Sequence, residues 1–408
     1  MHPPATTPSK AGHQWPLDGL RGVASLAVVM AHFGGIFYPA AVFGGSFAAH
    51  SSLESTFWQS PLVLLSHGEL AVCIFFVLSG YVLTFRDVAD TRSARAHALL
   101  NMLKRPVRLG GMVLCMMFLS YGLKLLGGYK IEEAGLLSGS EKYVAGSLDF
   151  GTWLRGFLQE ALFSPFSTGY KYDPPLWTIR DELWGSWVVF GVLLLAPRPS
   201  WRMWLCLILL PICHGSHIQG MVLGMMLARA SQLPWFGKVL GRAGVSLALL
   251  AVAFPLCCYP YYVRQFSPAD FAVSWYGSWP ALEWQAGSWC MVGAFILVAV
   301  LVRWGGSLPT GAKGFFTWLG KLSFALYAVH FIVLGSCTAQ VYLALRQHAF
   351  GHHAAAGMAL AFTLPVLTAV SWILWRCVDV PSIQISRNLS DWVARRFKIG
   401  PRRTATGA

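Results

Sequence analysis

Residues 17–38 read LDGLRGVASLAVVMAHFGGIFY, with a charge at Arg21 and none in the ten residues that follow it. The run is apolar and of bilayer-spanning length, and it reads as a transmembrane helix. Arg21 and His32 stand eleven positions apart. At about 100° per residue they fall within about 20° of one another on a helix, separated by about 16 Å along its axis. If Arg21 sits at a membrane interface, His32 lies near the midplane. An ionisable side chain at that depth costs about 2.5–3.5 kcal/mol on insertion scales, so each is a functional candidate. Arg21 alone reads more readily as a topology anchor, and His32 alone as an interhelical hydrogen bond. Their shared face favours a joint role.

The rest of the chain has the same character. Of 408 residues, 55% are hydrophobic and only 12% charged, against about 25% in a soluble domain. Ten apolar segments lie near 17–38, 61–85, 107–126, 175–196, 201–213, 217–230, 244–262, 287–304, 318–341 and 355–376. The fifth and sixth are short enough to form a re-entrant pair or to cross a thin region. The fold class expected is all-α: a polytopic membrane helix bundle of about ten transmembrane helices. With the N-terminus inside, 22 Lys and Arg fall on the cytoplasmic side and seven on the other, which places both termini in the cytoplasm. The organisation is a tail at 1–15, a membrane domain at 16–388 with an outer loop at about 127–174, and a basic tail at 389–408. Within the loop, 150–163 reads as an amphipathic stretch. The first segment also has the layout of a cleavable leader; the motifs below require that it be kept.

The net charge of +14 sits between apolar segments, so topology explains it and nucleic acid is not an expected partner. Nine cysteines lie mostly in apolar runs with no CxxC pair, which argues against a disulfide framework or a metal site.

Other spans also carry titratable groups. The second holds His67, Glu69 and Cys73 ahead of Phe75-Phe76-Val77-Leu78-Ser79-Gly80; Glu69 and Cys73 share a face. The fourth holds Trp177-Thr178-Ile179-Arg180-Asp181-Glu182. Asp181 and Glu182 diverge by about 100°, so one of the two faces a cavity. On the ninth, Ser323, Tyr327 and His330 fall on one face, with His330 at about the depth of His32. Grouping His32, Glu69, Glu182 and His330 in one wet pocket would lower the cost of burying each.

The motifs resemble the acyltransferase-3 family of integral membrane acyltransferases. The resemblance rests on Leu17 to Gly22 with the Arg21–His32 pair, on Phe75, Phe76, Ser79 and Gly80, and on Arg105 and Arg108. It continues with Trp177, Thr178, Ile179 and Glu182, and with Gly320 to His330, so that it runs from about 15 to 388. The wording around Tyr172-Asp173-Pro174 and Val378 to Ser382 leans toward fungal members. Many members have an Asp where this chain has Cys73, and Glu69 one turn earlier is a candidate substitute. Many also carry an extracellular SGNH-type domain, for which this chain shows no counterpart.

The resemblance implies transfer of an acyl group, acetyl in the simplest case, from cytoplasmic acyl-CoA to a hydroxyl of a carbohydrate or small-metabolite acceptor. No metal is implied. His32 would be the general base or a transient acyl carrier, Glu182 its orienting carboxylate, and Arg21 part of the catalytic group. Arg105 and Arg108 would hold the CoA phosphates, although positive-inside topology explains them as well. Ser79, Trp177, Ser323, Tyr327, His330 and Glu69 would line the substrate cavity. Two rival classes remain: a proton-coupled transporter, which should show two related halves with broken helices, and a receptor or scaffold, indifferent to substitution of His32 or Glu182. A His13–Asp18 spacing that fits another acyltransferase pattern is broken by Pro16 and carries no weight.

Overall fold

Pro16 lies in the first turn of the first helix, where a missing N–H costs nothing, and the chain runs on as α1 (Trp15–Phe37). The computed structural model describes residues 15–44, 47, 49–90, 93–134, 154–259 and 286–399, and no strand occurs among them. Two short helices follow, α2 (Pro39–Phe43) and α3 (Ser52–Trp58). A 3-10 turn at Pro61–Ser66 then leads into α4 (Gly68–Thr84), and α5 (Ala94–Leu125) comes next. The region between α5 and the next long helix contributes α6 (Leu154–Phe163) and α7 (Pro165–Thr168), ahead of α8 (Leu176–Leu195). Next come α9 (Pro199–Ile212), α10 (Ile218–Ala230), α11 (Pro234–Leu240) and α12 (Ala243–Cys258). The last five are α13 (Ala286–Trp304), α14 (Lys313–Val333), α15 (Ala339–Gln347), α16 (His352–Leu374) and α17 (Val380–Arg396).

Within the described residues, each of the ten apolar segments falls on helical structure, but the helices are of unequal reach. Among the described residues, five continuous helical stretches are long and apolar enough to cross a membrane, and a sixth if α11 and α12, bent by 79°, act as one span. The helices α4, α9 and α10 are shorter. At 14 residues, α9 extends only about 21 Å against a hydrocarbon core of about 30 Å. Residue 61 does not begin a continuous helix: the chain breaks at His67, whose Nδ1 accepts the Leu70 amide at 3.1 Å and so caps α4. Its Nε2 reaches the Tyr259 carbonyl at 2.8 Å, so both ring nitrogens are spent on structure. Conversely, α5 starts well before residue 107. The expected boundary at 388 falls inside α17, because a π-turn at Trp375–Asp379 carries α16 straight into it. Residues 135–153 of the expected outer loop lie outside the described residues. The amphipathic stretch at 150–163 is described from Leu154, and α6 buries Phe157 and Ala161 while Leu162 and Phe163 stay exposed.

Two helix crossings place the polar groups. α1 lies along α14 so closely that a Cβ on Gly320 would stand 2.5 Å from the Asp18 carbonyl oxygen. α4 meets α10 at Gly80, where a Cβ would stand 2.1 Å from the Met221 oxygen. Only glycine permits backbones this near. Around these contacts Val28, Cys73, Phe76, Leu78, Phe190 and Met221 form a buried core. Many large apolar side chains, Trp184, Trp204 and Leu247 among them, are exposed, as expected of surfaces that face lipid.

Candidate functional site

The α1–α14 contact joins the two histidines that periodicity put at one depth. His330 Nε2 lies 3.2 Å from His32 Nδ1, with ring centroids 4.8 Å apart. Carbonyls fix the tautomers. His330 Nδ1 lies 2.6 Å from the Tyr327 carbonyl, so that nitrogen carries the proton and Nε2 is left as an acceptor. His32 Nδ1 lies 3.0 Å from the Val28 carbonyl, so it too carries a proton, shared between that oxygen and His330. His32 Nε2 therefore holds a lone pair, and it makes no hydrogen bond among the described residues. His330 is fully buried, whereas His32 keeps partial access to solvent.

Glu182 does not orient His32. No hydrogen bond joins them, and the carboxylate is taken by arginine instead. Arg105 Nη2 donates to Glu182 Oε1 at 2.7 Å, and Arg105 Nε donates to Ser186 Oγ at 2.9 Å. Ser79 Oγ donates to the same carboxylate oxygen at 3.2 Å, and Arg21 Nη2 reaches Ser79 Oγ at 3.5 Å. α1, α4, α5 and α8 are thus tied into one polar chain, Arg21–Ser79–Glu182–Arg105–Ser186. The reason is electrostatic: a carboxylate buried beside guanidinium groups gains more from a charged donor than from a neutral imidazole. Arg108, one turn from Arg105, makes no hydrogen bond or ion pair among the described residues and is half-buried, so its guanidinium remains available.

At the other end of α4, Glu69 Oε1 lies 2.8 Å from His217 Nε2, with the two side chains 10% and 13% exposed. Cys73 Sγ is a distant third partner of that oxygen at 3.8 Å. The His217 ring rests 5.0 Å from that of Trp177 and 5.2 Å from that of Phe76. His217 was not among the sequence candidates. It stands alone just ahead of a short helix, and only its place at the edge of an apolar segment could have flagged it.

The remaining candidates divide. Tyr327 OH pairs with Thr178 Oγ1 at 2.8 Å, and its ring lies 5.8 Å from that of His330. Trp177 walls the His217 side. Ser323 is not part of the arrangement: its hydroxyl donates back to the Gly320 carbonyl at 2.8 Å, within its own helix. Asp181 pairs with its neighbour Arg180 at 3.0 Å. In the turn before α8, Asp173 is fully buried, and neither of its carboxyl oxygens has a hydrogen-bond partner. Burial pushes that carboxyl well above the ordinary carboxylate range. Among the described residues, no group of three or more His, Cys, Asp or Glu is arranged to hold a metal ion.

A free imidazole nitrogen deep in a helix bundle, with a cluster of arginines about three helical turns away, can handle a substrate that carries an anion at one end and a reactive carbonyl at the other. A family model described as an acyltransferase domain, Acyl_transf_3, matches residues 16–376. No curated protein and no solved structure matches the chain. The match covers all the residues of the polar chain, the His32–His330 pair and the Glu69–His217 pair, and the protein belongs to the acyltransferase-3 family of membrane acyltransferases.

Proposed function

We propose that this acyltransferase takes an acyl group, acetyl in the simplest case, from acyl-CoA and passes it to a hydroxyl of a carbohydrate or small-metabolite acceptor. Both termini would face the cytoplasm, with the arginine end of the bundle open to the donor. One observation carries the reading: Arg21 and His32 lie on one helix about 16 Å apart, the arginine beside further cations and the imidazole with a bare Nε2. Acyl-CoA has the same layout, with phosphates at one end, the thioester at the other and a flexible arm between.

In this reading Arg108 and Arg21 hold phosphate oxygens through charge-assisted hydrogen bonds. Arg105 has a different task from the one its position in the sequence suggests, because its guanidinium is committed to Glu182 and Ser186. Together they form the wall that fixes Ser79 and, through it, Arg21. His32 is the reacting imidazole, and it engages the acyl carbonyl or the attacking hydroxyl through Nε2. His330 takes the place a carboxylate holds in a triad, since its Nε2 accepts the His32 Nδ1 proton and holds the ring in one orientation. A proton-coupled transporter would use similar residues, but family membership favours acyl transfer.

The test is incubation of the purified protein in detergent with acetyl-CoA and longer acyl-CoAs, following free thiol with and without candidate acceptors. The reading expects acceptor-stimulated thiol release that saturates with acyl-CoA and falls with rising salt as the arginine contacts are screened. Absence of thioester consumption with every chain length would reject it.

A further inference from the structure

We propose that Glu69 and His217 form a second acid–base pair, which removes the proton from the acceptor hydroxyl, while His32 carries the acyl group. This rests on the acyl-CoA reading above and assigns the step that His32 and His330 leave open.

A carboxylate bonded to one imidazole nitrogen, with the other nitrogen bare, is the arrangement a general base requires. The structure contains that arrangement once among the site residues, at His217 and not at His32. Its Nε2 is engaged by Glu69 at 2.8 Å, and its Nδ1 makes no hydrogen bond among the described residues. The pair is 10–13% exposed, so it is desolvated yet reachable. Glu69 lies in the first turn of α4 and Ser79, bonded to Glu182, lies ten residues on, about 15 Å along the helix. The pair is thus at the end of α4 away from the arginines. Trp177 touches His217, and the adjacent Thr178 touches Tyr327, which neighbours His330. His217 and Tyr327, the latter one turn from His330, therefore both border the first turn of α8, and the acceptor would lie against the Trp177 ring.

The chemistry balances in two halves. His32 Nε2 attacks the thioester carbonyl, the C–S bond breaks, and its electron pair leaves on sulfur. The acylimidazolium then gives its Nδ1 proton to His330 Nε2. In the second half the acceptor oxygen forms a bond to the acyl carbon as its proton passes to His217 Nδ1. The C–N bond to His32 breaks, its pair returns to Nε2, and His330 returns the proton to Nδ1. The proton on His217 ends in solvent and balances the charge on the departed thiolate.

The experiment uses the full-length protein in lipid nanodiscs with acetyl-CoA and three nucleophiles: water, glycerol and hydroxylamine. Hydroxylamine attacks acyl groups without a base to remove its proton, so it bypasses His217. His217→Ala and His217→Gln are expected to lower turnover with water and glycerol about 10²–10⁴-fold, and hydroxylamine is expected to restore turnover to both. Glu69→Gln should show a smaller loss with the same rescue. If hydroxylamine-supported turnover falls as far as the hydroxyl reactions, the pair is only structural and the proposal is overturned. Undiminished transfer to water and glycerol in both His217 variants overturns it as well. If the wild-type protein releases no thiol with any nucleophile, the acyl-CoA reading itself fails and takes this proposal with it.

Discussion

Replacing Arg105 with Met should destabilise the bundle through the charge it leaves behind, more than through the contact it removes. Arg105 is 5% exposed and donates to Glu182 at 2.7 Å. Removing one member of a buried ion pair typically costs about 3–5 kcal/mol, most of it the uncompensated partner. Here the cost is smaller, because the Glu182 side chain is 25% exposed and Ser79 still donates to it at 3.2 Å. Screening and that remaining bond bring the expected loss to about 2–3 kcal/mol. Glu182→Gln in the same background discharges the orphaned carboxylate and should recover about 1–2 kcal/mol. The assay is equilibrium unfolding of the four proteins of the cycle in mixed detergent micelles. An Arg105→Met variant within about 0.5 kcal/mol of wild type would refute this account of the polar chain. So would a double variant that loses the sum of the two single effects.

Other outcomes follow from single contacts. His330→Phe keeps an aromatic ring, slightly larger, but removes the acceptor for His32 Nδ1; turnover should fall on the order of 10²-fold with the protein still folded by size-exclusion chromatography. Gly80→Val would force a side chain into the Met221 backbone, where even a Cβ stands 2.1 Å from the carbonyl oxygen, and should abolish recovery of monodisperse protein. Asp173 is buried without a partner and its carboxyl is pushed well above the ordinary range. The folded state therefore holds its proton more tightly than the unfolded state, and folding stability is lost as pH rises above the unfolded value near 3.8. Asp173→Asn removes that loss, so its melting temperature at pH 7 should exceed that of wild type, with the difference shrinking toward pH 4.

How far these features could be read in advance depends on whether they are properties of one helix or of several. The bundle was legible, because apolar runs of bilayer length are a local property. The facing of Arg21 and His32 was legible for the same reason: 3.6 residues per turn fixes it within α1. The meeting of His32 and His330 followed from equal depth on two helices, and Gly320, quoted for its motif, turns out to be what lets those helices touch. The partner of Glu182 was not legible. Which side chain reaches it depends on the rotation of α5 against α8, and no spacing within one segment encodes that. The resemblance pairs Arg105 with Arg108 as phosphate ligands, whereas the fold engages the Arg105 guanidinium with Glu182 and Ser186. Glu69 was singled out for its depth, but its partner lies 148 positions away. His217 precedes a 13-residue helix with no motif around it, so the carboxylate–imidazole pair was visible only once α4 and α10 were packed.

Intact-protein mass spectrometry after rapid mixing with acetyl-CoA decides whether His32 is the imidazole through which acyl transfer runs. Wild-type protein quenched before turnover completes should carry one added acetyl group that maps to His32 and discharges to hydroxylamine. The His32→Ala protein, correctly inserted and monodisperse, should carry none and release no thiol. Thiol release by His32→Ala at the wild-type rate would contradict the account.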